Sequence, residues 1–312
     1  MPIVSALMGR LRSGVAGRSA DLMLVITMTF WGGNFTATKY AITHGVHPLA
    51  YSSSRYTIAA IIFFGLSRVF EGSVRIARND FGVLALCAVG LVANQVCFIY
   101  ALRYTSTASA ALLFGTMPIF AALISFFAGI ERPTRRFAIA AVVSLVGVVF
   151  VAVGTNGSLS SNLKGDALTM VAVITWAFYS VMATPMMTRY SPIRLSAYAF
   201  GCTSLVMLAI ATPQLKTQTL HLSHTVWATY SFAVVLSLVF ANVLWFRSIK
   251  IIGPSRASLF SNLQFFLAAL FGVLLLSEKI TVLQVLGGVT IGVAILLSRP
   301  RGSKLAPVES VE

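Results

Sequence analysis

Residues 101–143 read ALRYTSTASAALLFGTMPIFAALISFFAGIERPTRRFAIAAVV, and residues 248–290 read SIKIIGPSRASLFSNLQFFLAALFGVLLLSEKITVLQVLGGVT. The two align without a gap at an offset of 147. Glu131 falls on Glu278, and Ala121-Ala122-Leu123 falls on Ala268-Ala269-Leu270. Upstream, Trp31 corresponds to Trp176 at an offset of 145 and Pro48 to Pro192 at 144. Loop lengths absorb that drift. The chain contains itself twice, and the repeat unit decides the fold.

Each copy is almost wholly apolar. The 312 residues are 57% hydrophobic and only 10% charged, where a soluble domain carries roughly 25% charged residues. The apolar residues gather into ten runs: 22–43, 49–69, 81–102, 105–128, 136–154, 167–188, 193–212, 226–248, 255–276 and 281–298. Each is near the ~20 residues that take a helix across ~30 Å of hydrocarbon. Membrane β-strands are half as long and alternate polar with apolar. The expected fold class is therefore an all-α membrane protein of ten transmembrane helices, with copies at 22–154 and 165–299 and tails at 1–21 and 300–312. Five helices per copy is an odd number, so the second copy enters the membrane from the opposite side. Inverted repeats of this kind build secondary transporters, with the substrate near the midplane. The loops are too short for a catalytic head.

A net charge of +15 could point to nucleic acid, but its placement does not. Sorting Lys and Arg by loop puts 17 on the side of the termini and loops 2–3, 4–5, 6–7 and 8–9, and 6 on the other. The positive-inside rule then places both termini in the cytoplasm of a multi-pass inner-membrane protein. No nucleic-acid partner is expected. The basic first twenty residues lack an apolar core and a cleavage site, so the first helix reads as an uncleaved anchor. Cys87, Cys97 and Cys202 all fall within apolar runs and read as packing thiols.

The motifs along this frame resemble a known family. WGGNF in helix 1, RYT-x-A in helix 2, the run over helices 3–5 containing Tyr104, Pro118 and Glu131, and LGGVTIGVAILL in the last helix are similar to the EamA-type branch of the drug/metabolite transporter superfamily. The resemblance covers residues 22–299. It implies a ten-helix exporter of small metabolites and implies little about which metabolite. Phe265 stands at the counterpart of Pro118, so a proline marks a helix break in the first copy only.

Polar groups in a membrane helix point inward unless they pair or reach water. In helix 1, Trp31, Asn34, Phe35 and Thr38 share one face at i, i+3, i+4 and i+7. Helix 6 repeats the stripe as Trp176, Tyr179, Ser180 and Ala183. Gln95 and Phe98 in helix 3, beside Asn94, correspond to Asn242 and Trp245 in helix 8. These residues, with Asn262 and Gln264 in helix 9, are the candidate substrate-binding set. Gly32 and Gly33 would let a neighbouring helix approach closely. Gly288 and Gly292 form a small-xxx-small pair suited to packing inside the bundle.

Lys39 and Arg55 lie in the outer third of the membrane and are candidates to attract a substrate carboxylate or phosphate. Glu278 and its repeat mate Glu131 are candidate gate residues, and Pro118 is a candidate hinge. No nucleotide-binding loop, metal cluster or Ser/His/Asp arrangement appears, so no enzyme, cofactor or metal is expected. All eight acids lie at helix ends, loops or tails, so a deep carboxylate relay lacks its parts. The expected activity is export of a small metabolite, an amino acid with an aromatic or other apolar side chain, by alternating access. The alternative is a carrier, possibly inward, for a vitamin, nucleoside-like or other anionic metabolite. Oligomeric state is open.

Overall fold

A computed structural model describes residues 2–101, 104–105, 107–154, 162–276 and 280–299. Glu278 and the tail from residue 300 lie outside the described residues, as does the side chain of Lys39. The described residues are helical, with no strand among them. In chain order the α-helices are α1 Pro2–Thr43, α2 Pro48–Glu71, α3 Phe81–Ala101, α4 Thr107–Phe114, α5 Met117–Phe127, α6 Arg135–Gly154, α7 Leu163–Met182, α8 Pro192–Thr217, α9 His224–Phe232, α10 Ala241–Ile252, α11 Pro254–Phe260, α12 Leu263–Leu276 and α13 Val282–Leu297. A π-helical stretch, Ala233–Phe240, joins α9 to α10 without a gap. Six helical stretches are long and apolar enough to cross a membrane: Arg78–Ala101, Ser109–Phe127, Arg135–Gly154, Leu163–Thr188, Pro192–Thr217 and His224–Ile252. α1 and α2 carry the polar stripe and Arg55, α11 and α12 are divided by a break, and α13 is a shorter apolar helix.

α1 is one helix of 42 residues, about 63 Å at 1.5 Å per residue, roughly twice the hydrocarbon thickness. One expectation changes: the second helix break forms without its proline. α4 ends at Phe114 and α5 starts at Met117, while α11 ends at Phe260 and α12 starts at Leu263, within one residue of the same register at the repeat offset. In the second copy serines replace proline as the cause. Ser258 Oγ donates to Ser255 O at 2.7 Å and Ser261 Oγ donates to Ser258 O, and such back-bonding bends helices.

The helices pair as α6 with α13, α2 with α8, α3 with α7, α1 with α10 and α12, and α5 with α7 and α11. Exchanging the copies maps most of this set onto itself: α6 with α13 and α2 with α8 are unchanged, α3 with α7 becomes α10 with α1, and α5 with α7 becomes α12 with α1, whereas α5 with α11 has no such counterpart. Backbone contact makes the tightest seam. A Cβ on Gly287 would lie 2.6 Å from Gly147 O, and one on Gly147 would lie 2.9 Å from Gly287 O. The Gly288/Gly292 pairing does not hold. Gly288 instead admits the Phe266 ring, and Gly292 faces open space. Gly32 does face a helix closely, since its Cβ would sit 3.0 Å from Gln264 O.

The bundle has two chemically different ends. One holds ion pairs: Asp80 with Arg189 at 2.7 Å, Glu71 with Arg194 at 2.9 Å, and Asp21 with Arg256 and Arg299 at 2.7 and 2.8 Å. Each joins the first copy to the second. The opposite end has no ion pair among the described residues and is tied mostly by neutral groups, with one acid, Asp166, accepting from Thr105 Oγ1 at 2.9 Å. Gln214 and Gln218 accept the Leu49 and His47 N–H at 2.8 and 2.7 Å, and Thr281 donates to Gly154 O at 3.0 Å. Replacing Gly287 by Leu forces α6 from α13, and overpacking of this kind costs about 1–3 kcal/mol. Thermal unfolding in detergent should fall clearly for Gly287→Leu and stay at the wild-type value for Gly292→Leu.

Candidate functional site

The halves of α1, α2 and α3 nearer the neutral end enclose a cavity with an empty volume of about 800 Å³, part of it continuous with solvent. α1 contributes Trp31, Asn34, Phe35 and Thr38, α2 contributes Arg55 and Tyr56, and α3 contributes Asn94, Gln95, Phe98 and Ile99. Phe114, Met117, Trp176, Ser237, Leu238, Ser261 and Gln264 complete the wall.

Three irregular stretches of helix place these groups. The π-helical turn widens the helix and releases carbonyls. Arg55 Nη2 donates to Ala233 O at 3.1 Å, Trp31 Nε1 donates to Ser237 O at 3.0 Å, and Thr27 Oγ1 donates to Ala241 O at 3.3 Å. The α4–α5 break leaves Gly115 O free, and Asn262 Nδ2 donates to it at 3.2 Å. Asn262 is therefore buried in the join of the two breaks, where it also donates to Ser144 Oγ at 2.9 Å. It does not line the cavity. Pro118 is buried at the start of α5, one residue beyond the lining Met117.

Aromatic rings form two clusters on the wall. Trp31 meets its repeat counterpart Trp176 edge to face at 5.3 Å and tilts over Trp245 at 5.2 Å. Phe35, Phe98, Phe114 and Phe265 form a ring of edge and tilted contacts at 5.7–6.2 Å. The polar groups lie beside them. Asn34 Oδ1 accepts from Arg55 Nη2 at 3.2 Å and from Thr38 at 3.5 Å. Gln95 donates to Asn94 Oδ1 at 2.8 Å, and Asn94 is anchored to α7 through Ala172 O.

Arg55 is the one charged residue among the described lining residues. It is only 7% exposed. Its guanidinium lies over the Tyr51 ring at 4.8 Å, its Nε has no acceptor, and no carboxylate pairs with it among the described residues. A buried cation without a counter-ion is costly unless something anionic arrives.

The second-copy stripe divides. Trp176 reaches the cavity, whereas Tyr179, Ser180, Asn242 and Trp245 are buried behind it. Among the described residues Ser180 Oγ and Trp245 Nε1 have no hydrogen-bond partner, and Asn242 donates to Ser196 at 2.8 Å. Residues that sequence spacing did not single out are Tyr56, Ile99, Phe114, Met117, Ser237, Leu238 and Ser261. Met117 and Ser261 flank the two breaks, which is the signal that would have found them.

At the ion-paired end, Glu131 closes against the start of α11. Its Oε2 accepts the Ser255 N–H at 3.0 Å, and its other oxygen lies against Gly253, whose φ of +80° and lack of a Cβ make room. Glu131 thus ties the first copy to the second. Arg132, Arg136, Arg256 and Arg299 line the same recess.

A bundle of apolar helices around a polar and aromatic cavity open in part to solvent is the architecture of a multi-pass membrane transporter. The chain belongs to the EamA-like transporter family, whose model matches residues 18–153 and again 163–299. It is 24% identical to the uncharacterized transporter YyaM of Bacillus subtilis, over 88% of this chain and 92% of that one. It is 27% identical to an uncharacterized transporter of Archaeoglobus fulgidus, over 89% and 98%. A probable terminal-alkyne amino-acid exporter of Streptantibioticus cattleyicolor is 25% identical over 60% of this chain and 62% of its own. One solved crystal structure superposes with a TM-score of 0.70 at 18% identity, over 90% of this chain and 96% of that one, a likeness of fold.

Burial raises the Glu131 pKa above the ordinary carboxylate value, and the hydrogen bonds from Ser255 offset this only in part. The latched form therefore binds a proton more tightly than a solvated Glu131 does. The stability of the latched form is greatest at low pH and falls as pH rises through the raised pKa. Glu131→Gln, neutral throughout, should remove that part of the pH dependence. Melting curves from pH 4 to 8 should show the variant at least as stable as wild type at the upper end.

Proposed function

We propose that the protein is a secondary transporter of a bacterial inner membrane that exports a small metabolite by alternating access. The proposed metabolite is an amino acid with an aromatic or other apolar side chain. The reading includes two inverted five-helix copies with both termini in the cytoplasm. The observation that carries it is Arg55, a buried cation facing an aromatic cavity with no carboxylate partner among the described residues. A substrate carboxylate would take the place of the missing counter-ion, and the rings at Trp31, Trp176, Phe35 and Phe98 would cover a flat or apolar body. The relative named as a probable amino-acid exporter supports the same class.

In this reading the ion pairs at Asp21, Glu71 and Asp80, with the Glu131 contact, close the cytoplasmic end while the cavity faces outward. Exchanging the roles of the copies would close the neutral end and uncover Tyr179, Ser180, Asn242 and Trp245 toward the cytoplasm. Lys39 and Glu278 would act at the outer gate, and the breaks at Pro118 and Asn262 would be the hinges. Transport would run down the substrate's own gradient, since no acid lines the cavity among the described residues.

That same lack of an acid favours a second reading, a carrier for an anionic metabolite without an ammonium group, such as a vitamin or nucleoside-like acid. An amino acid's ammonium would have only neutral acceptors such as Asn34, Gln95 and Gln264. Flux in proteoliposomes separates the two. Aromatic amino acids, their 2-oxo acid analogues, riboflavin and nucleosides are loaded with and without a pH gradient. The expected result is saturable amino-acid flux that ignores the pH gradient and is lost in Trp176→Ala. Arg55→Gln should raise KM by roughly thirtyfold, the equivalent of about 2 kcal/mol for an unpaired carboxylate. Flux of oxo acids alone would move the assignment to the second reading, and flux of none would contradict both.

A further inference from the structure

The recess beside Glu131 is separate from the transport cavity, and its chemistry differs. Its empty volume of about 1230 Å³ includes space open to solvent, and part of its lining is Arg132, Arg136, Arg256, Arg299 and Phe137. Asp21 pairs with both Arg256 and Arg299. Arg132 and Arg136 are exposed and take part in no ion pair among the described residues. Four arginines thus face two carboxylates, Asp21 and Glu131, and the site keeps a surplus of positive charge. One donor is also unfilled: Arg256 Nε is buried with no hydrogen-bond partner among the described residues. Ser255, more than nine-tenths buried, lines the recess beside it.

We propose that this recess binds the phosphate headgroup of an anionic phospholipid. Its position selects a lipid over a free anion. The recess sits where α6 begins and α13 ends, at the level of the ion-paired end. In the first turns of α6 and the last turns of α13, Ile139, Val142, Val293 and Leu296 are exposed apolar side chains, a surface that acyl chains cover in a bilayer. A headgroup among the arginines and tails along the seam between α6 and α13 satisfy both halves of the site. Arginine forks suit phosphate oxygens, and basic recesses between membrane helices at the cytoplasmic side take anionic headgroups. The lipid would bridge the first copy, through Arg132 and Arg136, to the second, through Arg256 and Arg299.

Native mass spectrometry of the purified full chain tests this with dioleoyl phosphatidylglycerol, dioleoyl phosphatidylcholine and inorganic phosphate as probes. The variant is Arg132→Gln/Arg136→Gln, which alters two exposed side chains outside the transport cavity. Wild type should retain phosphatidylglycerol in preference to phosphatidylcholine. The double variant should bind it roughly thirtyfold more weakly, from about fivefold per arginine near an anionic surface. Equal retention of the two lipids, or phosphatidylglycerol retained undiminished by the double variant, would overturn the proposal. Millimolar inorganic phosphate that binds alone and displaces the lipid would overturn the lipid assignment in favour of a free anion.

Discussion

A helix that gives up backbone hydrogen bonds inside hydrocarbon must find donors elsewhere, because no water is there to supply them. This chain gives them up at the α4–α5 break, the α11–α12 break and the π-helical turn before α10. At the first and the last of these, the debt is met by a side chain from another helix. Asn262 serves Gly115, Trp31 serves Ser237, and Arg55 serves Ala233. The donors are thereby fixed in position. Two of them, Trp31 and Arg55, stand on the cavity wall. The irregular backbone therefore places the candidate site, and the regular helices around it provide the frame.

The duplication gives this arrangement its character. Trp31 meets Trp176, and Asn262 reaches the carbonyl of its own repeat counterpart, Gly115. Contacts between equivalent residues of the two copies hold the centre, so the copies meet there on similar terms. At the ends they do not. Acids of the first copy hold basic or backbone groups of the second at one end, and amides, hydroxyls and the single carboxylate of Asp166 do the work at the other. Four polar or aromatic residues of the second copy are packed away while their first-copy counterparts face the cavity. The proposed alternating access calls for a second shape, with the roles of the copies reversed.

Much of this was legible because it rests on spacing. The offset of 147 located the duplication, and the i, i+3, i+4, i+7 stripe located the face of α1 that now carries Trp31, Asn34, Phe35 and Thr38. Spacing gives a face but not the conformation in which that face is exposed, so Tyr179 and Asn242 were indistinguishable from Asn34. Proline is only one way to break a helix. Its absence at Phe265 hid a break that Ser258, Ser261 and Asn262 produce. The π-helical turn left no mark in composition, so Ser237 and Leu238 went unread. Tyr56, Ile99, Phe114 and Met117 are apolar or aromatic residues that look like core until a cavity is beside them. Gly287 rather than Gly292 faces the neighbouring backbone, because the closest approach of α6 and α13 depends on their crossing, which sequence does not give.

The central claim is that one site is exposed to the two sides in turn by exchange between the copies. Paired single-cysteine variants on a cysteine-free background, Asn34→Cys and Asn242→Cys, test it through labelling by membrane-impermeant thiol reagents from either face of sealed vesicles. The account predicts that Asn34→Cys labels from the outer face only, and Asn242→Cys from the cytoplasmic face only. A condition that raises one should lower the other. Labelling of both positions from the same face, or changes that rise and fall together, would contradict it.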